Sequence, residues 1–406
     1  MCYNPYHIMK IITDEKRIDE VLGRGIISGI LPNKEDFKKL LMSGKRIRIY
    51  IGFDATADTL HLSHAKNIML LEDFRKLGHE VIFLFGDFTA RIGDPSDQIG
   101  TRTILSKKQV QGNIKNWEKQ IKNLINFRDF SNPAKIKFNG SWLSKLSLED
   151  VLNLASKITV QQMVERDMFQ KRIKEGKHIF LHEFMYPLMQ GYDSVAMEVD
   201  AEMCGTDQTF NALMGRTLLR KMKDKNKFVV TVNLMENPKT GELMSKSRGT
   251  GVFLNATPME MFGAIMAQPD EMIEVLLVNC TRITKDEIKK IMKIDPLEAK
   301  KRTAFEILKI IFSEKEAQKA KENFINTFQK KEIPEEMTEL KTEGNKMLMD
   351  ILVEGKILAS KGEFRRLVEE NAITDLDTNK KVTDVNFIPK SGMKFKIGKR
   401  RFIEIK

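Results

Sequence analysis

The chain has 406 residues, 41% hydrophobic and 31% charged, a length that implies two or three domains, each with its own core. No apolar run approaches the roughly 18 residues of a membrane span and no secretory pattern opens the chain, which excludes a membrane protein and points to the cytoplasm. Cys2, Cys204 and Cys280 are too far apart for a CxxC zinc site or a disulfide framework, while 68 basic against 56 acidic residues, a net charge of +12, favours an anionic partner such as nucleic acid or a merely lysine-rich surface.

In chain order, the first half alternates short apolar runs with helical patterns, as a parallel α/β sheet does. Residues 46–54, RIRIYIGFD, read as a strand; a helix is predicted near 62–77, ended by Gly78; and residues 79–87, HEVIFLFGD, read as the next strand. Residues 135–143, KIKFNGSWL, read as a strand, residues 148–173 as mainly helical, and residues 228–234, FVVTVNL, as another strand. Sheets of this kind bind ligands beyond the carboxyl ends of their strands. From about residue 257 the pattern is helical, through PMEMFGAIMAQ, KDEIKKIMK and the long run from Pro296 to Phe328. A charged, proline-broken stretch then reads as a linker, residues 346–370 as two helices, and residues 381–406 as short strands.

The loop between the first strand and its helix holds DTLHLSH, with His61 and His64 at i and i+3. At a helix N-terminus they can add donors to the unpaired backbone N–H groups and meet a phosphate; they can also be core histidines. A metal is disfavoured, because no third ligand lies nearby and there is no HExxH pattern. Downstream, GELMSKSRGTG places Lys246 and Arg248 in a loop of small residues, where a lysine can follow charge growing on a leaving phosphate. No G-x-G-x-x-G follows a first strand, which argues against a dinucleotide-dependent oxidoreductase.

Between Lys390 and Arg401 lie six basic residues and no acidic one: Lys390, Lys394, Lys396, Lys399, Arg400 and Arg401. Phe395 and Phe402 can turn to a core while these charges face outward, either as a phosphate-binding surface or as a solvated edge strand that lysines protect from aggregation. Together with the basic helix KGEFRRLVEE, the segment 346–406 resembles the S-four-like RNA-binding domain, a resemblance that implies Arg365, Arg366 and the basic residues from Lys390 onward as RNA contacts.

A histidine pair opening the first helix, a Met-Ser-Lys-Ser loop and an RNA-binding tail, in this order, resemble the class I aminoacyl-tRNA synthetases, with their His-x-Gly-His and Lys-Met-Ser-Lys-Ser signatures. Within that class YIGFDATADTLHLSH, FLFGDFTARIGDPS, LHEFMYPLMQGYDS and CGTDQTFN look like the bacterial tyrosyl enzymes. The resemblance implies a Rossmann-like parallel-sheet catalytic domain over 1–235, a helical domain with the second signature over 236–335, a linker over 336–345 and a small α+β RNA-binding domain over 346–406. It implies that tyrosine is activated with ATP and Mg2+ and passed to tRNA(Tyr) by a homodimer with no structural metal. By the same resemblance Tyr50 and Asp193 meet the substrate hydroxyl, and Tyr186, Gln190 and Asp94 hold its ammonium group. Asp54, Thr56, His61, His64, Arg102, Gly205, Asp207, Gln208 and Lys246 then serve ATP.

The pattern departs from the family in a few places. Ser63 takes the usual glycine of His-x-Gly-His, Leu243 the first lysine of the second signature, and Asp97 and Gln98 a glycine and a lysine; Ala55 replaces a proline. The lost cations raise the alternative of a synthetase-like RNA-binding protein with impaired catalysis.

Overall fold

The computed structural model describes residues 9–94, 105–244, 251–326, 337–340, 342, 346–378, 380–398 and 401–406. The chain divides into two compact units, one of Met1–Thr257 with Ala264–Glu314 and one of Pro258–Gly263 with Lys315–Lys406.

The first unit is built on a six-stranded sheet of β1 (Ile27–Leu31), β2 (Arg48–Phe53), β3 (Glu80–Phe85), β4 (Lys135–Phe138), β5 (Ala201–Gly205) and β6 (Phe228–Val232). Their order is β1-β6-β5-β2-β3-β4, parallel except for β1, which runs antiparallel to β6 at the edge. Five of the six residues of β3 are buried, as helices on both faces of a parallel sheet require. From β2 the chain winds outward through β3 and β4, and it returns to the other side of β2 as β5 and then β6. The crevice at the carboxyl ends of β2 and β5 is therefore the topological switch point.

Helix Leu62–Lys76 follows β2 as its spacing predicts, and Gly78 just beyond it holds φ +97°. Residues 148–173 form three helices, Leu148–Ala155, Val160–Val164 and Asp167–Lys174, the first two capped by Ser147 and Thr159. Two expectations change. KIKFNGSWL is strand only to Phe138, and Gly140–Leu143 turns into a helix. The run from Pro296 breaks at Phe312, giving helices Pro296–Ile311 and Glu314–Phe324.

The second unit carries a four-stranded sheet in the order β7-β10-β9-β8, from β7 (Thr338–Leu340), β8 (Ile373–Asp375), β9 (Lys394–Ile397) and β10 (Arg401–Ile405). Thr338–Leu340 lies inside the expected linker yet pairs in parallel with β10. Helices Leu348–Glu354 and Lys361–Glu369 join the sheet in one core around Phe364, Phe395, Ile403 and Ile405. Phe402 is not part of that core, contrary to the alternation read from the sequence. It pairs across the hairpin with Lys396, whose ammonium lies 5.5 Å from the ring centroid, because the turn returns the strand with Ile403, not Phe402, opposite Phe395.

Candidate active site

A cavity of about 340 Å³ opens at the switch point of the first unit. Its buried end is made by β2, β5 and helix Leu181–Met197, and its more exposed end by the start of helix Leu62–Lys76 and the turn Gly205–Gln208. Tyr50, Asp54, Thr56, His64, Asp94, Tyr186, Gln190, Asp193, Gly205, Asp207 and Gln208 all line it.

At the buried end, Tyr186, Gln190 and Asp193 share one face of their helix, as their spacing of i, i+4 and i+7 requires. Asp193 accepts from the indole N–H of Trp142 at 2.8 Å and from the Asn139 amide at 3.3 Å. Burial nevertheless pushes its carboxyl well above the ordinary range, because the charged form is poorly solvated there. Asn139 also donates to Thr89, and Thr89 to Asp54 at 2.6 Å; Tyr186 donates to the other Asp54 oxygen at 2.9 Å. The Tyr50 hydroxyl lies 3.0 Å from Ser194 Oγ, and burial, then the charges of Glu202 and Asp193, push its pKa well above the ordinary phenol value. Gln190 donates to Glu202 at 3.2 Å. Asp94 accepts from Gln208 at 2.7 Å and pairs with the Arg166 guanidinium at 3.7 Å.

Beside the exposed end, His61, which does not itself line the cavity, is the N-cap residue of helix Leu62–Lys76, and its backbone N–H donates to His64 Nδ1 at 3.3 Å. An accepting Nδ1 leaves the proton of a neutral His64 on Nε2. Burial lowers His61 to about 4 and His64 well below its usual value, so both rings are neutral at pH 7. His61 Nδ1 has no partner within the protein. The strand-like pairing of Leu60 and Leu62 with Leu254 and Val252 ties this helix start to the chain just past the second motif. Helix Lys107–Ile121 grips the preceding loop: Asn113 donates to the Ala55 carbonyl, Trp117 to that of Ala57, and Gln120 accepts from the Leu60 N–H. Lys66, lowered to about 8 by burial, donates to Asn67 and to the Asn233 carbonyl.

Ser63 lines the cavity, whereas Leu243 does not. Arg102, Lys246, Arg248, Asp97 and Gln98 lie outside the described residues. Among the described residues no group of three His, Cys, Asp or Glu side chains is placed to hold a metal ion, and no helix is long and apolar enough to cross a membrane.

The basic residues of the tail fall in the second unit. Arg365, Arg366 and Lys390 are exposed, Lys394 and Lys396 are half-buried on β9, and Lys399 and Arg400 lie outside the described residues. Arg401 is engaged internally, donating to the Ile357 carbonyl and pairing with Glu363 at 3.1 Å.

Sequence reasoning passed over Asn139, Trp142, Ser194, Glu202 and Lys227. The first two follow β4 directly, where the rule of carboxyl ends points to them. Ser194 and Glu202 gave no signal beyond being polar residues inside apolar runs.

The family model for class I tRNA synthetases (W and Y) matches residues 42–329. A tyrosine–tRNA ligase of Carboxydothermus hydrogenoformans is 40% identical, over 97% of this chain and 98% of its own, and one of Thermotoga maritima is 37% identical over the same shares. Among solved structures, a C-terminally truncated mitochondrial tyrosyl-tRNA synthetase of Aspergillus nidulans superposes with a TM-score of 0.66 at 23% identity, over 77% of this chain and 94% of its own. The Archaeoglobus fulgidus tyrosyl-tRNA synthetase, solved with L-tyrosine, gives 0.57 at 18% identity, over 76% and 100%. At such identities the two structures speak for the fold.

Proposed function

This chain belongs to the class I tRNA synthetases of the tryptophan and tyrosine group, and on that premise we propose how its cavity performs the reaction of a tyrosine–tRNA ligase. Tyrosine is activated with ATP to tyrosyl-adenylate and pyrophosphate, and the tyrosyl group then passes to the 3′ end of tRNA(Tyr). The alternative of a catalytically impaired binding protein has no support, since the ligases it resembles match it along nearly their whole length.

The observation that carries the amino-acid assignment is the buried carboxyl of Asp193, fixed by Trp142 and Asn139 within a cavity that Tyr50 also lines. A phenol hydroxyl completes such a pair, and phenylalanine leaves it unsatisfied; the rejection of phenylalanine by this family is a standard illustration of that principle. Tyr186, its proton given to Asp54, presents lone pairs to the substrate ammonium beside Gln190 and Asp94. ATP enters as its magnesium complex over the helix start, where the neutral His61 and His64 act as hydrogen-bond donors, with Thr56, Gly205, Asp207 and Gln208 around the nucleoside. Arg102 and Lys246 are assigned to the phosphates by their motif positions. The tyrosine carboxylate is already the nucleophile toward the α-phosphate, so no general base is needed, and catalysis rests on positioning and charge stabilisation.

Exposed Leu148, Leu152, Val160, Ile173, Phe180 and Leu181 support a homodimer, because an apolar set of this size on one unit favours burial against a second copy. The basic face of Lys394 and Lys396, with Arg365 and Arg366, supports tRNA binding by the tail, and the enzyme works in the cytoplasm. Tyrosine-dependent ATP–pyrophosphate exchange by the purified chain tests the reading; exchange no higher with tyrosine than without it would sink it. Light scattering tests the dimer, which Leu152→Glu should dissociate.

A further inference from the structure

Three lysines are buried among the described residues, and two of them meet an acidic side chain. Lys227, just before β6, pairs with Glu202 of β5, the two side chains 0% and 2% exposed, and Lys301 pairs with Glu298 on its own helix. Lys66 is 1% exposed and has no carboxylate within ion-pair reach: its ammonium donates to the Asn67 amide oxygen at 2.9 Å and to the Asn233 carbonyl. Both partners are neutral. A lysine is almost never enclosed without a partner of opposite charge, because neutral hydrogen bonds only partly replace the water an ammonium loses. An apolar side chain of the same length would fill this place without that penalty.

The position of Lys66 shows where the missing charge comes from. It lies on helix Leu62–Lys76 between His64 and Asn67, which both line the cavity with Ser63, and Leu234, the residue after Asn233, lines it as well. The ammonium thus stands one layer behind the wall of the nucleotide end. Asp207, of the turn Gly205–Gln208, and the Cys280 thiol of helix Met272–Cys280 also act on it, but burial pushes that thiol up to about 12, so it is uncharged at neutral pH. His61 and His64, at the start of its own helix, are neutral too. Burial outweighs Asp207 and holds Lys66 at about 8.

We propose that Lys66 is the buried counter-charge of the bound nucleotide: it touches no substrate atom, and its ammonium stabilises the anionic ATP through the cavity wall, where little water screens it. The inference rests on the assignment of ATP to this end of the cavity. Linkage fixes its sign. A nucleotide attracted by the charged form of Lys66 tightens the hold of Lys66 on its proton, so ATP binds best below about pH 8 and less well as the pH rises through that value.

The KM for ATP in tyrosine-dependent exchange by the full chain, followed from about pH 7 to about pH 9 at saturating tyrosine, tests this. In the wild type it should rise about threefold or more over that range. Lys66→Met should show an about equally raised KM already at pH 7, with no further rise and no change in the KM for tyrosine. A flat wild-type profile, a variant profile that still climbs through pH 8, or a variant KM equal to that of the wild type at pH 7 would overturn the proposal. A second measurement needs no variant. Binding of magnesium α,β-methylene-ATP to the wild-type chain, followed by calorimetry at about pH 8.5 in two buffers of different ionisation heat, should take up about 0.3–0.5 proton per nucleotide, since phosphates with a pKa near 6 are already ionised there. Binding without uptake overturns the proposal even where Lys66→Met fails to fold. Uptake without any tyrosine-dependent exchange would keep this role of Lys66 and remove the ligase reading, and a chain that binds no nucleotide would lose both.

Discussion

The two ends of the cavity are built on opposite plans. At the amino-acid end Tyr50, Tyr186, Asp193 and Glu202 are each buried and bonded to protein partners that are themselves buried or bonded, back to Trp142, Thr89 and Lys227. At the nucleotide end His61 Nδ1 has no partner, Asp207 is exposed, and the N–H groups of Leu62 and His64 at the helix start are bonded only to the backbone carbonyls of Val252 and His61. Discrimination against a substrate lacking one hydroxyl needs groups that are expensive to leave unpaired, hence buried ones. Binding a triphosphate needs only charge and N–H groups, which tolerate replacement. Of the departures from family pattern among the described residues, Ser63 lines the cavity beside the helix start and none lies among the residues that line the buried end.

The sharpest way to break that contrast is to leave a charge alone in the buried end. Lys227→Met strands Glu202, so we expect a loss of about 3–5 kcal/mol in unfolding free energy by denaturant titration, most of it restored when Glu202→Gln is added. A single variant as stable as the wild type would mean that the buried end is not held by its charges. Next in size, Asp193→Ala orphans the Trp142 and Asn139 donors and removes the proposed acceptor of the phenol. A loss of about 3 kcal/mol in kcat/KM for tyrosine, more than a hundredfold in exchange, is expected, with the KM for ATP little changed.

The same contrast explains what the sequence disclosed. Helix Leu62–Lys76 and strands β2, β3 and β6 were legible because apolar runs and a helix-ending glycine are local signals. Tyr186, Gln190 and Asp193 were legible as one helix face. Short β5 was not, since it is five residues long and carries a glutamate, and Glu202 is tolerable there only because Lys227, 25 positions later, arrives beside it. Asn139 was hidden by a strand pattern that runs on into a helix. The fate of Phe402 depended on the register of a hairpin, which a one-residue shift reverses. Periodicity reports which face a residue takes, and pairing across the fold decides what it meets there.

A smaller effect is expected from protons at the nucleotide end. His61 is held at about 4 by burial, against about 6.5 in the unfolded chain. Between those values the unfolded chain binds more protons, so stability is level above about pH 6.5 and falls as the pH drops toward 4. His61→Asn should flatten that acid limb by about 1 kcal/mol, a figure reduced because the side chain is partly exposed. His64 and His79, lowered by the same cause, keep some slope. An acid limb unchanged in the variant would mean that His61 is solvated in the folded chain.

The smallest change concerns Ser63, at the second residue of helix Leu62–Lys76 and on the cavity wall. Glycine at this place in the family lets a nucleotide lie against the backbone, and a serine Cβ stands in that space. Ser63→Gly should therefore lower the KM for ATP or raise the exchange rate by a factor of a few, about 1 kcal/mol at most, and leave the KM for tyrosine alone. The second half of that expectation carries the weight. The residues proposed to meet the phenol and the ammonium belong to β2 and helix Leu181–Met197, with Asp94 beside them, while Ser63 belongs to a helix start tied to Val252 and Leu254. A tyrosine KM that moved with Ser63 would show the two ends to be mechanically coupled, and the latitude seen at one would then be felt at the other.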